Sequence, residues 1–393
     1  MIVVAVASGT SADGLDVGVV DLRWGHEIEI EMRLVGARTD PWPADLSEGL
    51  LGLLPPNATT AARLCELDNA VGQEVGRAAR RAMSDLGAAE AELVVSPGQT
   101  VYHDVRDGRC LGTLQLGQPA WVVEATGLPV VSDLRARDVS AGGHGAPLAS
   151  TFDQLWLAGV GGPRVALNLG GIANVTVVRG ADVPASAWDT GPANCLLDLA
   201  AARVSNGALR CDHDGRLALS GQVRSDLLDV LLEHPHFRST PPISTGRETF
   251  SAEFLDEALA RVPQVGPTDL LATLTELTAV SVARGLKPHS VTEVVASGGG
   301  TRNPALMGAL RRALEPTRLV TSDEMGLPAT AKEVAMWALL GFLTWHGVPG
   351  VNGSTGARVP RVLGRISPGG HPLVLPAVVD DPPRRLRIHR PAH

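Results

Sequence analysis

Apolar and polar positions along the chain fall into two repeated patterns. Ile2-Val3-Val4-Ala5-Val6 is a continuous apolar run. A polar, glycine-bearing turn follows (Ala7 to Gly14), and then Leu15-Asp16-Val17-Gly18-Val19-Val20. The same strand–turn–strand order returns half a chain later, as Val165-Ala166-Leu167-Asn168-Leu169, Gly170-Gly171 and Ile172-Ala173-Asn174-Val175-Thr176-Val177-Val178. Both segments predict β-hairpins. Further strands are expected over 27–35, 93–95, 129–132 and 291–296. Helical spacing predicts a helix over 59–86 that ends at Gly87, and a helix after Pro119 that Gly127 stops. Others are expected over 148–157, from Asn194 to Ala202, over 270–283 and over 331–345. Residues 212–263 read as mostly helical, with a break at Pro241-Pro242, and Asn303-Pro304 supplies an N-cap followed by proline at the first helical position.

Strands alternating with helices indicate an α/β class. Two similar halves, each opening on a glycine-turn hairpin, suggest duplication, and 393 residues exceed one comfortable core. Glycines and hydroxyls in such turns let backbone N–H groups approach an anion closely. One turn alone reads equally as a plain hairpin. A pair of them suits a polyphosphate gripped from two sides.

A hydrophobic content of 44% with 19% charged residues describes a globular protein. The net charge of −8 leaves no basic excess for general binding to nucleic acid or an anionic membrane. Lys287 and Lys332 are the only lysines, and neither follows a glycine. That excludes a P-loop, and no His-Arg-Asp triplet of a protein kinase is present. Cys65, Cys110, Cys195 and Cys211 form no CxxC pair, so zinc and disulfide staples are not expected. Mostly packed, reduced thiols in a cytoplasmic protein are. The N-terminus enters a β-like run with no basic region of a signal peptide. The longest apolar segment, 334–343, is too short to span a bilayer.

Several residues carry candidate chemistry. Asp13 and Asp16 flank the first turn, where one would coordinate Mg²⁺ beside phosphates or simply favour the turn. Asp189 follows a strand end and precedes Thr190-Gly191-Pro192, the place for a general base or for a capping aspartate. Ser297-Gly298-Gly299-Gly300 after a strand admits an adenine or ribose, or is a plain loop. Thr330-Ala331-Lys332-Glu333 reads as a capping box, with a ligand role for Glu333 as the alternative. Arg135, Arg137 and Asp138 offer either a ligand site or a surface ion pair. Gln99 hydrogen-bonds a polar ligand or its own loop. His103 and His144 read as solvated loop histidines.

Taken in order, these motifs resemble one family. Ala7-Ser8-Gly9-Thr10-Ser11-Ala12-Asp13-Gly14-Leu15-Asp16 is similar to the MSGTSxDGxD opening of anhydro-N-acetylmuramic acid kinases. Gly98-Gln99-Thr100-Val101, Pro129-Val130-Val131-Ser132-Asp133, Leu167-Asn168-Leu169-Gly170-Gly171-Ile172-Ala173-Asn174, Asp189-Thr190-Gly191-Pro192, Ser244-Thr245-Gly246-Arg247-Glu248 and Ala331-Lys332-Glu333 resemble later motifs of that family. Pro97 stands where histidine is expected, Ile243 where lysine is frequent and Thr330 where aspartate is frequent.

The resemblance implies two duplicated ribonuclease-H-like lobes of the actin/hexokinase/Hsp70-like ATPase fold around a nucleotide. The implied first lobe is 1–127 with 350–370, the second 128–349, and 371–393 a loose tail. It implies a cytoplasmic homodimer that uses ATP and Mg²⁺ to open 1,6-anhydro-N-acetylmuramic acid hydrolytically and to phosphorylate O6, in cell-wall sugar recycling. Asp189 is the implied base. Nucleotide contacts are implied for Gly9, Thr10, Ser11, Ala12, Asp13, Gly14, Leu15 and Asp16, for Gly170, Gly171 and Asn174, and for Gly298, Gly299 and Gly300. Asp13 is the implied metal ligand, and Gln99, Arg137 and Glu333 the implied sugar contacts. The alternatives are a kinase of another anhydro-sugar such as levoglucosan, and a non-catalytic nucleotide-binding module or chaperone-like ATPase.

Overall fold

The two glycine-turn hairpins open two sheets with one strand plan. The computed structural model describes every residue except Thr10, Ser11, Asp13, Glu27, Val160, Pro242, Asn352, Asp380 and 391–393. The strands are β1 (Ile2–Ala7), β2 (Gly14–Trp24), β3 (Glu29–Pro41), β4 (Leu93–Ser96), β5 (Gln99–Arg106), β6 (Arg109–Leu116), β7 (Val130–Ser132), β8 (Arg164–Leu169), β9 (Ile172–Val178), β10 (Ser186–Pro192), β11 (Glu293–Ser297), β12 (Arg318–Thr321), β13 (Arg365–Ser367) and β14 (Arg385–His389). One sheet runs β13-β7-β4-β1-β2-β3-β14 and the other β10-β9-β8-β11-β12. In the first, β1, β2 and β3 are antiparallel, and β4 and β7 join in parallel. In the second, β8, β9 and β10 are antiparallel, and β11 and β12 join in parallel. Numbered by chain order within each unit, both cores read 3-2-1-4-5. This is the ribonuclease-H-like plan in duplicate, so the α/β class and the duplication hold.

The chain forms two units, Met1–Trp156 with Ala331–His393, and Leu157–Thr330. In the first, the Ala61–Asp85 helix starts at Thr60, whose side chain accepts the Arg63 N–H at 3.1 Å. Its Leu67, Val71, Val75, Ala78 and Ala82 bury against Val4, Val6, Val17 and Val19. Each buried valine or leucine of this kind contributes roughly 1.5–3 kcal/mol. The Lys332–Trp345 helix covers β1, β2, β4 and β7, and its buried residues run from Val334 through Thr344. Close approach sets its position. A Cβ on Gly18 would lie 2.5 Å from Val334, and one on Gly341 2.1 Å from Val95. In the second unit, Val165, Leu167, Val175, Trp188 and Ala296 on one sheet face pack with Ala279, Val282, Leu306 and Leu310.

The division falls elsewhere than the expected one. Residues 130–132 extend the first sheet through β4, and the Lys332–Trp345 helix packs on that same sheet, so both belong to the first unit. The tail is not wholly loose, because β14 adds to β3 in parallel and Arg387 pairs with Glu29 at 3.1 Å. Gln99 and His103, expected in loops, lie in the two-stranded β5–β6 hairpin. Only Cys110 of the four free thiols is buried, and Cys65 is exposed, because its helix face points away from the core.

Candidate active site

In the second unit a polar row crosses the sheet. Asp189 on β10 lies opposite Asn174 on β9, Asn174 opposite Asn168 on β8, and Asn168 beside Ser297 on β11. Directly paired positions share a face. The row therefore lies on the face away from the Val165–Trp188–Ala296 core. Asp189 is not past the end of its strand, as its turn-like Thr190-Gly191-Pro192 suggested. Those residues remain in β10, with a bulge between Asp189 and Gly191 that bends the strand at this point.

The segment after Pro242 fixes the carboxylate. Asp189 donates its N–H to Ile243 O at 3.0 Å. Its Oδ2 accepts the Thr245 N–H at 2.8 Å and Ser244 Oγ at 3.1 Å. Its Oδ1 accepts no bond among the described residues. Burial pushes the carboxyl above its ordinary range, the two hydrogen bonds and nearby His236 pull it back, and Glu248 adds to the rise. The result is a half-buried, oriented carboxylate with one free oxygen and increased basicity.

Beside it, the Gly170-Gly171 turn has its carbonyls turned inward. Gly170 O accepts Asn194 N at 3.0 Å, and Gly171 O accepts Ala193 N at 2.9 Å and Cys195 N at 3.0 Å. The Asn194 side chain adds a bond of 2.8 Å to Gly170 O. The N–H groups of Gly170 and Gly171 find no acceptor among the described residues. In the third glycine run, Gly298 has φ +87°, and a Cβ there would lie 2.7 Å from Asn168 Oδ1. Gly300 packs on Leu169, and Gly299 alone faces open space.

The first unit holds the other group. Thr10, Ser11 and Asp13 lie outside the described residues. Ala12 donates to Gly9 O at 3.1 Å and closes the turn, while Leu15 is buried in the core and offers a ligand only its backbone. Gln99 is buried. Its Nε2 donates to Gly9 O at 3.0 Å, and its Oε1 has no partner among the described residues. Asp16 Oδ1 accepts Thr39 Oγ1 at 2.6 Å. Burial raises the Asp16 carboxyl, against the Thr39 hydrogen bond.

Glu333 does not close a capping box. The helix N-cap is Ala331, with no side-chain cap, and Glu333 instead accepts Trp337 Nε1 at 3.4 Å. The side chain is reached by solvent yet crowded by protein. Desolvation first, then the Asp16 charge, push its carboxyl up, while Trp337 and Arg135 oppose.

Arg135, rather than Arg137, stands beside Glu333. Its guanidinium lies 5.2 Å from the Trp337 ring centre, its Nη1 donates to Gly145 O at 2.7 Å, and its buried Nε has no partner among the described residues. Arg137 is exposed and unpaired among the described residues. Asp138 forms no ion pair among the described residues. It is buried and ties down two loops through Gly145 N at 2.7 Å and Thr355 Oγ1 at 2.6 Å.

Comparison with known proteins settles the family. A family model described as anhydro-N-acetylmuramic acid kinase matches residues 1–369. An anhydro-N-acetylmuramic acid kinase of Streptomyces coelicolor is 49% identical over 389 residues, covering 99% of both chains. One of Rhodococcus erythropolis is 45% identical over 395 residues, again covering 99% of each. The chain belongs to the anhydro-N-acetylmuramic acid kinase family.

That membership sets aside the levoglucosan, binding-module and chaperone alternatives, and it brings ATP use with it. Solved structures are more distant. An activator of 2-hydroxyisocaproyl-CoA dehydratase from Clostridium difficile has a TM-score of 0.42 at 13% identity, covering 87% of this chain and 94% of that one. A ROK family glucokinase from Streptomyces griseus has a TM-score of 0.38 at 14% identity, covering 86% of this chain and 99% of that one. Among the described residues no helix is long and apolar enough to cross a membrane.

Within this kinase-family chain, three neighbours of the candidate residues escaped the sequence reading: His236, Arg247 and Asp198. Only Arg247 had a signal, lying in a motif already quoted. Burial pushes the Asp198 carboxyl up to about 6, against the charge of Arg247. The folded state therefore holds this proton more tightly than the unfolded chain. Its stabilising effect is complete below the ordinary carboxylate range and is lost as pH rises through about 6. Asp198→Asn should match the wild type near pH 3.5 and be more stable at pH 8, by about 1 kcal/mol after discounting for partial exposure. Denaturant titrations at the two pH values check this.

Proposed function

We propose that this chain opens and phosphorylates 1,6-anhydro-N-acetylmuramic acid in one ATP-dependent reaction, with Asp189 as general base. The observation that carries the reading is the Asp189 carboxylate, held through Oδ2, with Oδ1 unbonded among the described residues and its basicity raised by burial. A water beside Oδ1 gives up its proton and attacks the anomeric carbon. The bond from that carbon to O6 breaks, and O6 takes the terminal phosphoryl group from ATP. The products are N-acetylmuramic acid 6-phosphate and ADP.

The Gly9–Asp16 turn and the free N–H groups of Gly170 and Gly171 are the proposed phosphate contacts, with Asn174 beside them. Gly298, Gly299 and Gly300 would adjoin the nucleoside, and Gly299 is the one with room for it. Gln99 Oε1, Glu333 and Arg137 are the proposed sugar contacts, and the unpartnered Nε of Arg135 adds a fourth.

Mg²⁺ fits this donor set. The Asp16 carboxylate has one oxygen taken by Thr39, and it shares its surroundings with the second acid, Glu333. Hard oxygen ligands of this kind suit Mg²⁺, which keeps several waters of its own. Asp16 would hold it, with Asp13. When bound, the ion would neutralise phosphate charge. The reading extends to a cytoplasmic homodimer.

Mass spectrometry of the product from Mg-ATP and the anhydro-sugar tests the mechanism. The expected mass gain is one water plus one phosphoryl group. A gain of phosphoryl without water overturns the hydrolytic route.

A further inference from the structure

We infer that Arg247 is a further phosphate-binding residue, whose guanidinium takes the terminal phosphoryl group of the nucleotide over the Gly170-Gly171 turn. The inference rests on the reading of that turn as a phosphate site. A Cβ on Gly171 would lie 3.1 Å from Arg247 Nε and 3.3 Å from Nη2. The missing side chain is what lets the guanidinium lie against the turn.

The bonding around it points outward. Three backbone N–H groups of the following helix and the Asn194 amide take the carbonyls of both glycines. The turn is left with donors only. Arg247 makes no hydrogen bond or ion pair with any described residue. Its charge reaches Asp198 and Cys195 without contact. Two N–H groups without acceptors among the described residues and an unspent five-donor fork at one glycine turn make an anion-binding site.

Position and chemistry agree. Residues 243–245 clamp Asp189 through its N–H and Oδ2. Two residues on, the same segment delivers Arg247, so base and arginine are fixed together. In phosphoryl transfer the charge spreads over the equatorial phosphate oxygens, which a planar guanidinium can bridge in a bidentate way. The chain has no P-loop lysine to do this.

The test compares the wild type with Arg247→Met, Arg247→Lys and Gly171→Val. Steady-state turnover and calorimetric affinities for ADP and a non-hydrolysable ATP analogue are measured with Mg²⁺ present. Arg247→Met should lower kcat on the order of 10²–10³-fold. The KM for the sugar should hardly move, and any preference for the ATP analogue over ADP should be lost. Arg247→Lys should recover part of the rate, because it restores charge without the fork. If Gly171→Val weakens nucleotide binding while Arg247→Met keeps wild-type turnover and preference, the turn stands and the role of Arg247 is overturned. If Gly171→Val leaves nucleotide affinity intact in a folded protein, the phosphate-turn reading fails and the role of Arg247 with it.

Discussion

Asp189→Asn should abolish turnover and leave fold and nucleotide binding nearly unchanged. The geometry makes this substitution unusually clean. Both donors to the side chain, Thr245 N–H and Ser244 Oγ, converge on Oδ2. An asparagine can place its carbonyl oxygen there and keep both bonds. Its NH₂ then occupies the position of Oδ1, the oxygen without a partner among the described residues, and cannot accept a proton from water. Loss of a positioned general base costs on the order of 10²–10⁴ in rate. A capping or turn aspartate would tolerate asparagine, since both are good caps. Near-normal turnover would therefore make Asp189 structural and move the search for the base to Glu333, whose carboxyl is also raised by burial.

The sequence made the local units of the fold legible because each has a local cause. The hairpins show in their apolar runs, and the Pro304–Leu314 helix shows in Asn303-Pro304, whose side chain caps Leu306 N at 3.2 Å. The β5–β6 hairpin also carried a signal that went unused. Its turn is Asp107-Gly108, with φ +50° and +70°, the pair that two-residue hairpin turns favour. Its strands carry charged residues on exposed faces, so the alternation looked like loop.

The candidate site was legible only as far as residue type and order go. Arg135 and Arg137 are two residues apart with equal claims. Trp337 and Gly145 orient Arg135, and neither is near it in sequence. Thr330 to Glu333 fits a capping box, yet the helix begins at Lys332 with Ala331 as its cap, so the reciprocal bond has no place to form. Gln99 was read as serving a ligand or its own loop. Its Nε2 donates to Thr100 O beside it and to Gly9 O of the first turn, and its Oε1 has no partner among the described residues.

Gly9→Val should weaken nucleotide binding far more than sugar binding. Gly9 is exposed, and its carbonyl is held from two sides, by Ala12 N at 3.1 Å and by Gln99 Nε2 at 3.0 Å. Those bonds use backbone oxygen only, so a valine can keep them, and the turn and the Gln99 side chain stay in place. What changes is the space above the turn. A branched side chain there keeps phosphate oxygens from reaching the backbone N–H groups. Steric intrusion of this size costs about 1–3 kcal/mol, or roughly 5- to 150-fold in affinity. Isothermal titration of ADP and of the anhydro-sugar against the folded variant reads both sites in one preparation. Unchanged ADP affinity would place the phosphates away from Gly9. Equal loss for both ligands would mean that the turn had shifted and carried Gln99 with it.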